Sequence, residues 1–227
     1  MTTHEAAMTA PALYAHPFSS YSQKVFMAFY EKGAPFQLRV LSQDDPGAVT
    51  EHQALWPIGR FPVLQTGERT IVESTIIIEW LDRQHRIDPR LIPADPDAAL
   101  EARMLDRIFD NYVMTPMMTI VFDRLRPEDA HDPLGVVRAR ERLDKAYGWL
   151  DARMAERTWT VAETFTMADC AAAPALFYAD WVHPFDERAH LMAYFRRLLG
   201  RPSFARCVEA ARPSRHVFPG GAPVRDW

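Results

Sequence analysis

Apolar positions in this chain of 227 residues follow two different periods, and the change of period divides it. Ala12 to Ala15 reads as a short strand, closed by His16-Pro17-Phe18. From Ser19 the spacing turns helical: Val25, Phe26, Phe29 and Tyr30 share a face, and Gly33 ends the run. Phe36 to Leu41 is a second strand, and Ala48 to Leu55 a short helix. Arg60 to Val72 predicts two strands turning at Thr66-Gly67, where glycine admits the positive φ of a hairpin. A helix opens at Ser74 and runs to about His85, with Ile77, Trp80, Leu81 and Gln84 along one side. The order β-α-β-α-β-β-α over residues 12–86 is a compact α/β unit. Its first two strands are expected to run parallel through a right-handed crossover.

Residues 87–97 hold three prolines and three aspartates without a period, and are the expected linker. Residues 98–212 read as an all-helical domain. Leu100, Met104, Ile108 and Tyr112 fall in one apolar column beside Leu105, Phe109 and Val113, with Arg103, Asp106, Arg107, Asp110 and Asn111 opposite. Pro116 is expected to kink this helix, because its ring clashes with the carbonyl of Tyr112. Further helices are expected from about Leu134 to Met154, from Thr166, near Glu187 and after Pro202. Residues 1–11 read as a flexible leader, and 213–227, rich in Pro and Gly, as a tail over the surface.

Two junctions carry candidate chemistry. Ser19 and Ser20 stand between a strand and a helix. One of them is either simply the helix N-cap, or a hydroxyl that with the free helix N–H groups stabilises a ligand anion. For a thiolate the gain matters: a free thiol has a pKa of ~8.5. A hydrogen bond to a charged acceptor contributes about 1.5–3 kcal/mol, which lowers that pKa by about 1–2 units. No Gly-x-Ser-x-Gly elbow marks a serine nucleophile, so the serine acts as a donor. At the other junction, Pro62 heads a strand and leaves the main chain of Phe61 free to pair with an extended ligand. Glu73 can take an ammonium while Ser74 and its helix N-terminus take a carboxylate. Alternatively, Ser74 caps its helix and Glu73 is a strand-end charge. Thr166-Met167-Ala168-Asp169 is a capping-box variant, with Phe165 and Cys170 spaced as a hydrophobic staple, and its role is structural. Met114, Met117 and Met118 around Pro116 either fill core or line an adaptable apolar pocket.

Composition removes several classes. Apolar content of 48% with 25% charged residues is that of a globular protein, and a net charge of −4 argues against broad nucleic-acid or anionic-membrane binding. No run approaches the ~18 apolar residues of a membrane span, and Met1 to Ala10 is no secretory signal. Two cysteines, Cys170 and Cys207, make no disulfide framework and point to the cytoplasm. Eight histidines without a His-x-x-x-His or Cys-x-x-Cys pair give no metal site.

Four segments in order resemble a cytosolic glutathione transferase, covering Ala12 to about Ala211. Leu13 to Val25, with Ser19-Ser20-Tyr21-Ser22 at its centre, resembles the first strand and helix of serine-type bacterial members and of the zeta-, phi- and theta-like classes. Gly59-Arg60-Phe61-Pro62-Val63-Leu64 resembles the family's cis-proline segment. Glu73-Ser74 followed by Ile77, Glu79 and Trp80 resembles its γ-glutamyl motif, and Phe165 to Asp169 its second-domain capping box.

The resemblance implies a thioredoxin-like domain joined to an all-helical domain, a homodimer, and glutathione as co-substrate without a metal. It implies that Ser19 activates the glutathione thiol, with Ser20 and Tyr14 as alternatives. It further implies that Phe61, before Pro62, pairs with the cysteinyl main chain, and that Glu73 and Ser74 hold the γ-glutamyl end. Arg60 is the candidate for the glycine carboxylate, in a segment where Trp56-Pro57 replaces the more usual Asn-Pro. A small hydrophobic electrophile is expected between the domains near Tyr112, Met114 and Met117. The implied activity is that of a glutathione S-transferase. Tyr21 replaces the cysteine of the zeta-like Ser-Ser-Cys motif, a departure from the maleylacetoacetate isomerases. The alternatives are a glutathione-dependent isomerase or reductase of the same fold, the reductase needing a cysteine at Ser19, or a non-catalytic binding module.

Overall fold

Strand β1 (Ala12–Ala15) pairs in parallel with β2 (Gln37–Val40) and antiparallel with β3 (Val63–Thr66), which pairs antiparallel with β4 (Arg69–Val72). The sheet order is β2-β1-β3-β4. This structure, a computed structural model, describes residues 10–86, 88–161 and 163–225. Most of the expected leader, Ile87 of the linker and the end of the tail therefore lie outside the described residues. Helix α1 (Ser20–Glu31) joins the parallel pair, as the sequence pattern predicts. Alternation along β1 sends Leu13 and Ala15 into the core shared with α1 and α3 (Ser74–Gln84). Tyr14 points the other way, towards α2 (Pro46–Leu55), and its hydroxyl donates to Glu51 Oε2 at 2.9 Å. The hairpin turns at Gly67-Glu68, one residue later than expected, with Gly67 at φ 57°.

The second half contains α4 (Pro96–Ile108), a π-helical turn (Phe109–Met114), α5 (Thr115–Asp123), α6 (Pro133–Met154), α7 (Met167–Val182), α8 (Ala189–Leu199) and α9 (Pro202–Ala211). Helix α7 is buried along its whole length and packs on α1, so the two halves share one apolar core. Its N-terminus is closed by the expected box: Thr166 N–H donates to Asp169 Oδ2 at 2.8 Å, and the Thr166 hydroxyl accepts from the first turn. The fully buried Asp169 carboxylate also accepts from Tyr194 Oη at 2.7 Å and from Thr160 N and Oγ1 at 3.1 and 3.0 Å.

Two expectations about the α4 region are corrected. The kink at Pro116 is spread upstream as the π-helical turn, in which one extra residue absorbs the missing donor and the ring's bulk. The apolar face is also shifted: Leu105, Phe109 and Val113 are buried as expected, but the neighbouring column is not. Leu100, Met104 and Tyr112 are exposed, whereas Asp106 and Asp110 of the polar face are buried. Lys24 of α1 accounts for this. Its ammonium, itself buried, lies 2.6 Å from Asp106 Oδ1 and 2.9 Å from Asp110 Oδ2. Arg107 pairs with both aspartates, and Thr75 Oγ1 donates to Asp106 Oδ2 at 2.7 Å. The carboxylates are buried because Lys24, a counter-charge from the other half of the chain, joins Arg107 in pairing with them.

Candidate active site

The first turn of α1 begins at Ser19, whose backbone is extended (φ −85°, ψ 127°) and whose Oγ accepts from Ser22 N–H at 3.3 Å. Ser19 is thus the N-cap, and the capping bond occupies an oxygen lone pair, leaving the hydroxyl proton free to donate. The Ser20 and Tyr21 N–H groups have no acceptor within the helix. At the start of α3, Glu73 occupies the cap position instead of Ser74, which corrects the capping alternative for Ser74. Glu73 has φ 69° and ψ 119°, and its side chain makes no capping hydrogen bond. The first N–H groups of α3 therefore face outward uncapped, beside the hydroxyl of the buried Ser74.

These two helix starts and the loop before β3 border one cleft of about 570 Å³. Its polar floor is formed by Ser19, Ser20, Arg60, Phe61, Glu73 and Ser74, with Pro62 behind a cis Phe61-Pro62 bond. The His52 ring nitrogen Nε2 meets the Arg60 carbonyl at 3.0 Å, tying this loop to α2. Among the described residues, no backbone hydrogen bond holds Phe61, whose main chain lies open at the rim. The opposite wall is apolar: Met117, Met118, Val121, Phe122 and Leu125 from the α5 side, and Val217, Phe218 and Pro219 from the tail.

Of the three residues expected to bind an apolar substrate, the structure places only Met117 on the cleft. Met114 is buried in the core and Tyr112 projects to solvent, because the π-helical turn rotates both away from the cleft. The tail, expected over the surface, also lines the cleft. It does not simply cover the surface: Phe218 is buried against Phe18, Tyr178 and Trp181. The one available signal was Val217-Phe218, an apolar pair within a Pro- and Gly-rich segment.

The hydroxyl groups near the floor are not equivalent. Burial and the Glu51 carboxylate push the Tyr14 phenol up, and it faces α2 away from the cleft. Tyr21 lines the cleft, but burial, with Asp110 next in effect, pushes it up to about 12. His16 lies outside the lining; its Nδ1 accepts from Phe18 N–H at 3.1 Å, and burial lowers its pKa. Ser19, Ser20 and the Tyr21 phenol, which the rise keeps protonated, are thus the hydroxyl donors at the start of α1 that border the cleft.

Residues 13–90 match the model of the glutathione S-transferase N-terminal domain, and residues 113–202 that of the C-terminal domain. The chain is similar to a crystallised glutathione S-transferase of Methylobacterium radiotolerans in complex with glutathione sulfonate. Identity is 30%, covering 96% of this chain and 99% of that one, with a TM-score of 0.75. A glutathione S-transferase of Methylobacillus flagellatus with glutathione bound is 25% identical over 87% of this chain and 98% of its own, with a TM-score of 0.78. FtsZ-localized protein A of Caulobacter vibrioides is 29% identical over 95% of each chain. A thioredoxin-like half and a helical half joined across this cleft, together with both domain matches, make the chain a member of the glutathione transferase family.

Proposed function

We propose that the chain is a glutathione S-transferase acting on a small, neutral, apolar electrophile. The observation that carries this reading is that Ser19, the Phe61-Pro62 segment and the Glu73-Ser74 corner border a single cleft with an apolar opposite wall. The γ-glutamyl carboxylate sits at Ser74 and the uncapped N-terminus of α3, and its ammonium at Glu73. The cysteinyl main chain pairs with Phe61, and Arg60 takes the glycine carboxylate. The sulfur then lies at the first turn of α1, where the Ser19 hydroxyl donates to it. The thiol proton leaves to water. The sulfur lone pair forms the new S–C bond, and the leaving group departs with the electron pair of the bond that breaks. Met117, Met118 and Phe122, with the tail's Val217 and Phe218, hold the electrophile.

The test is the pKa of bound glutathione in wild type and in Ser19→Ala. The donor should hold it about 1–2 units below the free thiol's ~8.5, and the variant should lose that depression. An unchanged value would overturn the role of Ser19. A homodimer is part of the same proposal, supported by exposed Ile76 on α3 and Leu100 and Met104 on α4, helices linked by the Arg103–Glu79 pair at 2.7 Å. Both cysteines are buried and unpaired, which supports a reducing, cytoplasmic setting. The similarity to FtsZ-localized protein A favours a second reading, a binding module without catalysis. A chain that fails to bind glutathione at all would favour that reading.

A further inference from the structure

Tyr178 of α7 is buried at 3% exposure, and its hydroxyl donates to the Phe18 carbonyl at 2.8 Å. It accepts in turn from Gln23 Nε2 at 3.1 Å, and the same Gln23 amide donates to Pro17 O at 3.0 Å. The peptide so fastened is the one that leads into Ser19, whose N–H donates to His16 O at 3.0 Å and whose Oγ caps Ser22 N–H. The rings reinforce the tie. Phe18 meets Tyr178 edge-on with centroids 5.5 Å apart, and Phe218 of the tail stacks on Tyr178 at 6.3 Å. The tail is itself pinned, by Arg124 Nη1 donating to Pro219 O at 3.0 Å and by Arg225 pairing with Asp180 at 3.2 Å and Asp186 at 2.9 Å. The Tyr178 oxygen thus sits between the Phe18 carbonyl of the loop that leads to Ser19 and the Gln23 amide of the helix that Ser19 caps.

We propose that Tyr178 is a positioning residue for Ser19: its hydroxyl, oriented by Gln23 and roofed by Phe218, fixes the Phe18-Ser19 peptide so that the capping hydroxyl faces the sulfur. The inference rests on the role of Ser19 proposed above. Burial pushes the Tyr178 phenol above its ordinary pKa, so the donor stays protonated throughout the range in which a glutathione thiol titrates. The helical half of the chain thereby sets the geometry of a group on the thioredoxin-like half.

The test is Tyr178→Phe, which keeps the ring and removes only the hydroxyl, read in two ways. Without any ligand, hydrogen exchange of the Ser22 amide reports the capping bond directly. It should speed up about five- to tenfold, the effect of roughly one lost hydrogen bond. With glutathione, the pKa of the bound thiol should rise towards its free value, and kcat/KM below pH 7 should fall by a similar factor. KM for glutathione should stay within about twofold, as expected for a residue whose hydroxyl bonds Phe18 and Gln23 and not Glu73 or Ser74. A role in packing alone would lower the melting temperature but leave Ser22 exchange and the thiol pKa at wild-type values, and that result would overturn the inference. Ser19→Ala separates the two claims. If it raises the thiol pKa while Tyr178→Phe changes neither readout, only the positioning role fails. If Ser19→Ala leaves the pKa unchanged, the role of Ser19 fails and the positioning role fails with it, whatever the Ser22 exchange rate.

Discussion

Replacing Glu73 by glycine should make the protein more stable and a poorer binder of glutathione. Glu73 is the non-glycine residue held at positive φ among the described residues, at φ 69° and ψ 119°. A side chain in such a conformation costs about 1–3 kcal/mol. Glycine relieves that cost but adds about 0.5–1 kcal/mol of unfolded-chain freedom. The balance, about 1 kcal/mol in favour of the variant, corresponds to about 2–4 °C in melting temperature for a chain of this length. The Glu73 side chain makes no capping bond, so the helix loses only the dipole attraction of its carboxylate, which Glu73→Ala loses equally. Glu73→Ala is the control: it keeps the Cβ and the strain and removes only the carboxylate. If the carboxylate holds the γ-glutamyl ammonium, both variants should bind glutathione about ten- to a hundredfold more weakly, as for one lost hydrogen bond to a charged group. Thermal unfolding without ligand and titration calorimetry with glutathione measure the two effects. Should Glu73→Gly melt at or below Glu73→Ala, the strain argument is wrong. Should both bind normally, the ammonium is held elsewhere.

Asp169→Ala should be far more damaging than the loss of an ordinary helix cap, which costs about 0.5–2 kcal/mol. It would also orphan the buried donors of Thr160 and Tyr194, at about 1–3 kcal/mol for each unsatisfied group. Urea unfolding should show a loss of about 4 kcal/mol or more at unchanged m; a loss under about 1 kcal/mol would refute the account. For the proposed dimer, Met104→Asp places a charge on the exposed face of α4, and light scattering is expected to report a dimer for wild type and a monomer for the variant. A monomeric wild type at micromolar concentration would contradict the dimer.

Local signals carried most of the first half. Gly33 and Gly67 punctuate helix and hairpin where positive φ is required, and both take it. Thr166 and Asp169 identify their own helix start three residues apart, and Ser19 and Ser74 fall at helix starts because polar residues there follow an apolar strand. What was illegible depends on partners distant in sequence. Asp106 and Asp110 look like a solvated face until Lys24, on another helix, arrives to pair with them. Met114 and Tyr112 sit at plausible pocket positions on a regular α-helix, but the π-helical turn shifts their phase. Phe218 is buried only because Phe18, Tyr178 and Trp181 converge to receive it. No periodicity in a Pro- and Gly-rich tail announces such a contact.

The ionic joint and the cleft are built from the same helices, and this has a consequence for motion. Lys24 lies one turn beyond the Ser20-Tyr21 start of α1, and Thr75 follows Ser74 directly at the start of α3. The ammonium and this hydroxyl, 3.0 Å apart, both bind the aspartates at the α4 junction. Opening the cleft by swinging the helical half away from the sheet would expose or unpair Lys24, and breaking a buried pair costs about 3–5 kcal/mol. Such a state would be populated well under one part in a hundred. The polar floor at Ser19 and Ser74 is therefore preformed, as the proposed function requires of donors that would meet a developing thiolate. The freedom to admit apolar molecules of different shape falls to Met117 and Met118 of the other wall, whose side chains conform to varied shapes. On the proposed function, one cleft thus combines a rigid half for the tripeptide with an adaptable methionine wall for its partner.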